Sequence, residues 1–278
     1  MLDMEAVVAA AENLEPVPAS VSRLAGLVSD PESDIRDVVE VVSHDQALTA
    51  TVLRYANSAA SAPRVPIVTV RDAVNRVGRN QVLSTVLGAA VERWMRAPVP
   101  AYGIEANELW EASLYATVVA ENLAFYCRVE IPRSAASTAL LADVGKVALA
   151  RCLDEETLEF FRRARTEGAL ALHRAEMEVL GVHHGEVGAV VARHWGLPEE
   201  IAVGIQYHHD PEAGDELIVY ATALACAIAE TALPGDEGQG TVLDPPEWLG
   251  RLGLGPDDLE PLRDAATIRF GELQASAA

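Results

Sequence analysis

Five of the seven histidines fall between positions 183 and 209: His183, His184, His194, His208 and His209. A single carboxylate, Asp143, interrupts the otherwise apolar run 140–146, "LLADVGK". Burying a carboxylate without a partner is expensive, so Asp143 calls for one. His184 opens a helical pattern whose inward row continues through Val187, Gly188 and Val191. On the following pattern Ile201 and Ile205 lead at helical spacing to His208 and His209. Neighbouring helical residues diverge by about 100°, so both rings face one way only if the helix stops there. Asp210–Pro211 is such a stop signal. Asp143 shares a row with Leu140 and Val147, so three helices can bring together one carboxylate and two or three imidazoles. Such a set can hold a metal in two-His-one-carboxylate geometry, line a ligand pocket, or hydrogen-bond internally and tie the helices together. The residues favour the internal network.

Other chemistry is excluded by pattern. Gly145–Lys146 is followed by Val147, so there is no phosphate-binding P-loop. No G-x-S-x-G elbow, H-E-x-x-H pair or glycine-rich dinucleotide fingerprint occurs. The net charge of −21 argues against a nucleic-acid partner, which needs clustered bases to meet phosphates. The densest basic cluster is Arg162, Arg163 and Arg165, read as a charged helix face. Cys127, Cys152 and Cys226 lack C-x-x-C spacing and read as small buried hydrophobes in a reducing compartment. The first residues carry Asp3 and Glu5 with no basic start, and no long uncharged apolar run exists. A cytoplasmic protein without a membrane span is expected.

The elements that must position these groups read as all-α. Alanine and leucine are abundant and aromatics make up only 5%, a mix that favours helices over strands. Residues 1–101 form short amphipathic helices, among them "IRDVVEVVSHD" after the cap-rich "SDPESD". "RAPVPAYG" (96–103) is a linker candidate. Residues 102–232 contain longer helices, including one read continuously through "TALLADVGKVALARCL". Residues 233–278 form the polar loop "LPGDEGQG" and a last helix, with an acidic balance. Trp195 reads as a core anchor, with Gly196 ending its helix and Pro198 at the first position of the next. Asn57 and Ser58 read as a helix stop that bonds local backbone. Trp94, Trp110 and Trp248 read as packing residues without aromatic partners, and His44 and His173 as surface residues.

Several motifs occur together in an order that resembles the HDOD domains, HD-related output domains of bacterial signalling proteins. They are Pro16-x-Pro18, Asp45-x-x-Leu48, Leu53-x-x-x-Asn57–Ser58, Ala73-x-x-x-x-Gly78 and Trp110. "EVLGVHHGEVGAVVARHWGLPEEIAVGIQYHHDP" then adds Glu178, Gly181, His184, Gly188, Trp195, Leu197, Pro198 and the His208–His209 pair. The resemblance covers about residues 14–232. It implies an N-terminal helical subdomain packed on a degenerate HD-like helical subdomain. HD phosphohydrolases bind a metal through a His, a His-Asp pair and a later Asp. The resemblance places those positions at Ala112, at Ala142 before Asp143, and at Thr222, so three of four ligands are replaced. It therefore implies no HD metal, no cofactor and no catalysis: a regulatory scaffold working through protein contacts in a bacterial signalling pathway. The competing expectations are a sensor of a cyclic nucleotide or second messenger in the vestigial cavity, and a residual metal-dependent phosphodiesterase. Asp143, His184, His208 and His209 are the vestigial cluster, with Asp143 expected to bond to a histidine.

Overall fold

The computed structural model describes residues 4–12, 14–58, 61–168, 171–232 and 247–277, with side chains over most of that span. Described residues are helical apart from loops and one isolated bridge, Val99 to Ile104. Helix α1, Met4–Glu12, precedes a unit of α2 (Ala19–Ser29), α3 (Ile35–Ser43), α4 (Gln46–Ala56), α5 (Val70–Val77) and α6 (Arg79–Met95). Local side chains start and stop these short helices. Asp34 caps α3 in a capping box with Asp37. Asp45 caps α4 by accepting from Ala47 and Leu48 N–H, and Ser20 Oγ donates to its other oxygen at 2.6 Å. Asn57 donates to Leu53 O and exchanges two 2.8 Å bonds with the Ile67 backbone, while Ser58 Oγ donates to Tyr55 O. The helix stop expected at Asn57–Ser58 is therefore present, and Asn57 also fastens the loop ahead of α5.

The second unit comprises α7 (Glu108–Tyr126), α8 (Ala135–Leu141), α9 (Val144–Leu149), α10 (Glu155–Gly168), α11 (Leu172–Leu180), α12 (His184–His194), α13 (Glu199–Gln206), α14 (Pro211–Gly214) and α15 (Leu217–Ala232). Helix α16, Leu259–Ala277, packs back along α7. One apolar core runs from Ala11 through the N-terminal unit to Ile205, so that unit and helices α9, α12 and α13 share an interior. A second core joins α7, α8, α15 and α16 around Tyr115, Leu123, Leu224 and Phe270. Helix α1 packs on α9 and α12, outside the α2–α6 unit that it precedes in sequence. The seam between the units is clamped by Trp94 stacked on Trp195, centroids 5.6 Å apart at 28°, and by Ser22 Oγ donating to Trp195 O at 2.6 Å.

Four local expectations are corrected. The helix read through "TALLADVGKVALARCL" is broken at Asp143 (φ −97°, ψ 4°), which separates α8 from α9. The segment 96–103 is more than a linker: Val99, Ala101 and Tyr102 are buried, with a 3₁₀ turn at Pro100–Tyr102. Pro198 stands at the N-cap of α13, one residue earlier than expected, after Gly196 (φ +68°) ends the preceding turn. Trp94 and Trp248 do have aromatic partners, Trp195 and Tyr220. The three cysteines are half-buried and form no disulfide. The polar loop "LPGDEGQG" and the side chains of Arg162 and Arg165 lie outside the described residues; Arg163 is exposed.

Candidate functional site

Two glycines allow the site to form. A Cβ on Gly145 would stand 1.9 Å from His184 O and 2.7 Å from Gly188 N, so α9 touches the start of α12 backbone to backbone. A Cβ on Gly188 would meet Ile205 Cγ2 at 2.8 Å, so the absence of a side chain there lets the Ile205 side chain of α13 pack onto the α12 backbone. The break at Asp143 frees its carboxylate from its own helix end, where it makes no cap bond. Gly181 (φ +78°) ends α11, and His183 caps α12 in a box with Glu186. That reversal lays α11 beneath His184.

Asp143, His184, His208 and His209 meet as the sequence indicated. His184 is fully buried, and its Nε2 lies 3.1 Å from Asp143 Oδ1 and 2.8 Å from His209 Nε2. His208 Nε2 stands 4.0 Å from the same Asp143 oxygen. The His208 Nδ1–H donates to Ile205 O at 2.7 Å, at the stop of α13 after Gln206. The rings of His208 and His209 are 3.9 Å apart, so the pair faces one way because the helix has ended. His194 and His44 are exposed, the latter as expected.

Four members of the cluster were not singled out in sequence. Glu176, fully buried on α11, accepts from His184 Nδ1–H at 2.7 Å, from His184 N–H at 2.9 Å and from Tyr102 O–H at 2.7 Å. Lys146 Nζ lies 3.1 Å from Asp143 Oδ2. His173, expected on the surface, is half-buried and stacks on His209 with centroids 4.3 Å apart at 15°. The motif match had selected Glu178, which is exposed; the inward carboxylate is two residues earlier. A helical row of Leu172, Ala175, Glu176, Val179 and Leu180 carried the signal for Glu176, a charge on an apolar face. The i,i+3 spacing of Asp143 and Lys146 carried the other.

The electrostatics follow from these contacts. Burial opposes the charge on Asp143, but Lys146, His184 and His208 outweigh it and hold the carboxyl well below its usual range. Burial likewise opposes the charge on Glu176, and His184 with the hydrogen bonds pulls it down. Burial depresses His184, yet Glu176 above all, aided by the bond to Asp143, raises it to about 9 against Lys146. Burial and the neighbouring His184 charge push His208 down to about 3 and His209 well below its ordinary value. The result is two carboxylates, Asp143 and Glu176, balanced by two cations, Lys146 and His184.

The positions at which the resemblance places the other HD ligands carry no metal-binding side chain. Ala142 is buried at the end of α8, Ala112 is half-buried on α7, and Thr222 spends its buried hydroxyl on Ile218 O at 2.7 Å. An HD metal bound through those three positions does not fit this chain.

Comparison with known proteins agrees with the architecture. An HDOD domain protein of unknown function from Geobacter sulfurreducens has a TM-score of 0.68 and 26% identity over 95% of this chain and 98% of that one. A Shewanella amazonensis SB2B protein provisionally named a phosphohydrolase has a TM-score of 0.65 at 24% identity, covering 98% of both chains. A protein of Marinobacter aquaeolei VT8, provisionally named for signal transduction, has a TM-score of 0.68 at 22% identity over 94% of this chain and 60% of that one. An uncharacterized protein of Treponema pallidum (strain Nichols) is 24% identical over 215 residues, 74% of this chain; the match spans 39% of that relative's length. The family profile described as HDOD domain matches residues 14–211, which takes in α2–α6, the second unit as far as α13 and every member of the buried cluster, and the chain belongs to the HDOD domain family.

Proposed function

We propose that this chain is a non-catalytic regulatory module that acts in bacterial signalling through contacts with a protein partner. The observation that carries the reading is the closed charge balance of the cluster. Asp143 Oδ2 is occupied by Lys146 and Oδ1 by His184, whose other nitrogen is held by Glu176. Hydrolysis at an HD centre requires a bound metal with an open position that lowers the pKa of its water, and residues 112, 142 and 222 offer it no ligand. The names of the Marinobacter relative and of the family support the signalling half of the reading. A buried ionic network at a helix junction specifies one arrangement of helices, which suits a surface that must be presented in fixed form.

The test is turnover of bis(p-nitrophenyl) phosphate and of cyclic dinucleotides by untagged protein incubated with Mn²⁺, Fe²⁺ or Ni²⁺. The expected result is no rate above that of Asp143→Ala. A metal-dependent rate abolished in Asp143→Ala overturns the non-catalytic reading. The partner half is tested with the intact chain as bait in the native host. Failure to recover a stoichiometric protein, together with saturable nucleotide binding in a thermal-shift titration, replaces the scaffold with a ligand sensor.

A further inference from the structure

The chain carries a net charge of −21, yet residues 54–79 hold five arginines (Arg54, Arg64, Arg71, Arg76 and Arg79) against one acid, Asp72. This net +4 stretch covers the end of α4, the segment ahead of α5, α5 itself and the first residue of α6. Asp72 is engaged at its own helix start, where Thr69 Oγ1 donates to it at 2.7 Å. Elsewhere on the surface arginines meet carboxylates, as Arg36 meets Asp34, Arg96 meets Glu92, Arg193 meets Glu199 and Arg251 meets Asp215. Acids outnumber bases two to one in the chain. Even so, Arg54, Arg64 and Arg71 are exposed and form no ion pair among the described residues.

Apolar surface stands among these charges. Val65 is 73% exposed and Val68 is 78% exposed, more than any other valine, leucine or isoleucine among the described residues. The segment is held in shape. Asn57 exchanges two 2.8 Å bonds with the backbone of Ile67, which lies between the valines, and Arg76 Nη2 donates to Ser61 O at 2.6 Å. A segment ordered in advance loses less conformational freedom on binding. One exposed valine needs no explanation. Two in a single pinned segment, between Arg64 and Arg71 and beside Arg54 at the end of α4, unite the apolar contact and the arginines that protein interfaces favour.

We propose that Arg54, Arg64, Val65, Val68 and Arg71 form the docking surface for an acidic segment of a partner protein. The segment brings carboxylates to the arginines and an apolar side chain to the valines. The inference rests on the reading of the chain as a protein-binding module and gives that partner its chemistry. Charge complementarity selects a short acidic segment. A nucleic acid or an anionic bilayer extends past the patch and meets the rest of the chain, which is net −25 and repels it.

The experiment places a photoreactive benzophenone amino acid in place of Val68, in the intact chain expressed in the native host, and identifies what is joined to it on irradiation. The same amino acid in place of Met177, exposed on α11 of the second unit, is the comparison. The expected product at Val68 is a protein, joined through a segment with several carboxylates and at least one large apolar residue. Its yield should fall at least about 10-fold when Arg64→Glu and Arg71→Glu are combined, because like charges then face one another. Val65→Ser should lower it at least about 3-fold. All three positions are exposed, and an unchanged thermal midpoint shows that the variants fold as the parent does. A product that withstands the charge reversal overturns the inference. So does a lipid, a nucleic acid, a second copy of this chain or a non-acidic protein segment at Val68. A protein joined at Met177 or recovered with the bait, but not joined at Val68, overturns the surface and leaves the regulatory reading standing. No protein recovered by any of these routes removes both.

Discussion

Replacing Glu176 by glutamine keeps the shape of the side chain and removes only its charge. The carboxylate is fully buried and accepts three hydrogen bonds, two from His184 and one from Tyr102. Its charge is the main reason that His184, despite burial, is raised from 6.5 to about 9. A histidine raised in this way stabilises the fold fully below pH 6.5 and loses that contribution as the pH rises through 9. Linkage converts the difference to about 3 kcal/mol. Glu176→Gln is therefore expected to cost about 2–3 kcal/mol at pH 6. At pH 9.5 the imidazole is largely neutral in both proteins and only neutral hydrogen bonds are exchanged, so the cost falls to about 1 kcal/mol. Urea unfolding of metal-free protein followed by tryptophan fluorescence at the two pH values measures both differences, with an unchanged dependence on denaturant. An equal penalty at both pH values would refute the imidazolium at His184. A variant as stable as the parent at pH 6 would refute Glu176 as its partner.

Three further outcomes follow from the same structure. The depressed His208 (about 3) and His209 contribute stability that is present above pH 6.5 and lost as the pH falls towards their folded values. Each should cost about 1 kcal/mol between pH 6.5 and 5.5; chemical denaturation at those two pH values measures this, and a flat profile contradicts two neutral imidazoles. Glu121 is pushed up to about 7 by burial, against its hydrogen bond from Gln81 and the Arg269 charge. A carboxyl raised in this way favours the fold below its unfolded value near 4.5 and loses that contribution as the pH rises through 7. Glu121→Gln should accordingly gain about 1–2 kcal/mol at pH 8 and nothing at pH 4.5, and a pH-independent effect in urea melts would count against it. Gly145→Ala forces a methyl against the His184 carbonyl at 1.9 Å and should lose at least about 3 kcal/mol or fail to fold; a thermal midpoint near that of the parent would mean that α9 and α12 are not in backbone contact.

The sequence by itself determined what is periodic or adjacent. Inward rows such as Val187, Gly188 and Val191 appear every third or fourth residue, and caps such as Asp34, Asp45 and Asn57 act within a few residues of themselves, so the helices and several of their ends were legible. A stop at the His208–His209 pair was legible for the same reason, because Asp210–Pro211 acts on its own turn, and α13 ends at Gln206, just ahead of the pair. The ordered motifs carried the family; the replacement of HD ligands at Ala112, Ala142 and Thr222 is what the resemblance implies. Tertiary structure decided which distant groups became partners. Glu176 and Tyr102 are 74 residues apart and meet only because Tyr102 is buried under α11; nothing local to either announces the other. Trp94 and Trp195 likewise stack across the seam of the two units. The break at Asp143 was hidden because the apolar positions of "TALLADVGKVALARCL" keep a helical period across it, although Asp143 and Gly145 are weak helix formers, whereas backbone contact of Gly145 with His184 fixes where α9 must lie. Charge states were decided the same way, since burial and neighbours hold His184 charged and leave His208 and His209 neutral. Pairings between distant segments depend on how helices pack, and one chain read in order records only the faces they offer.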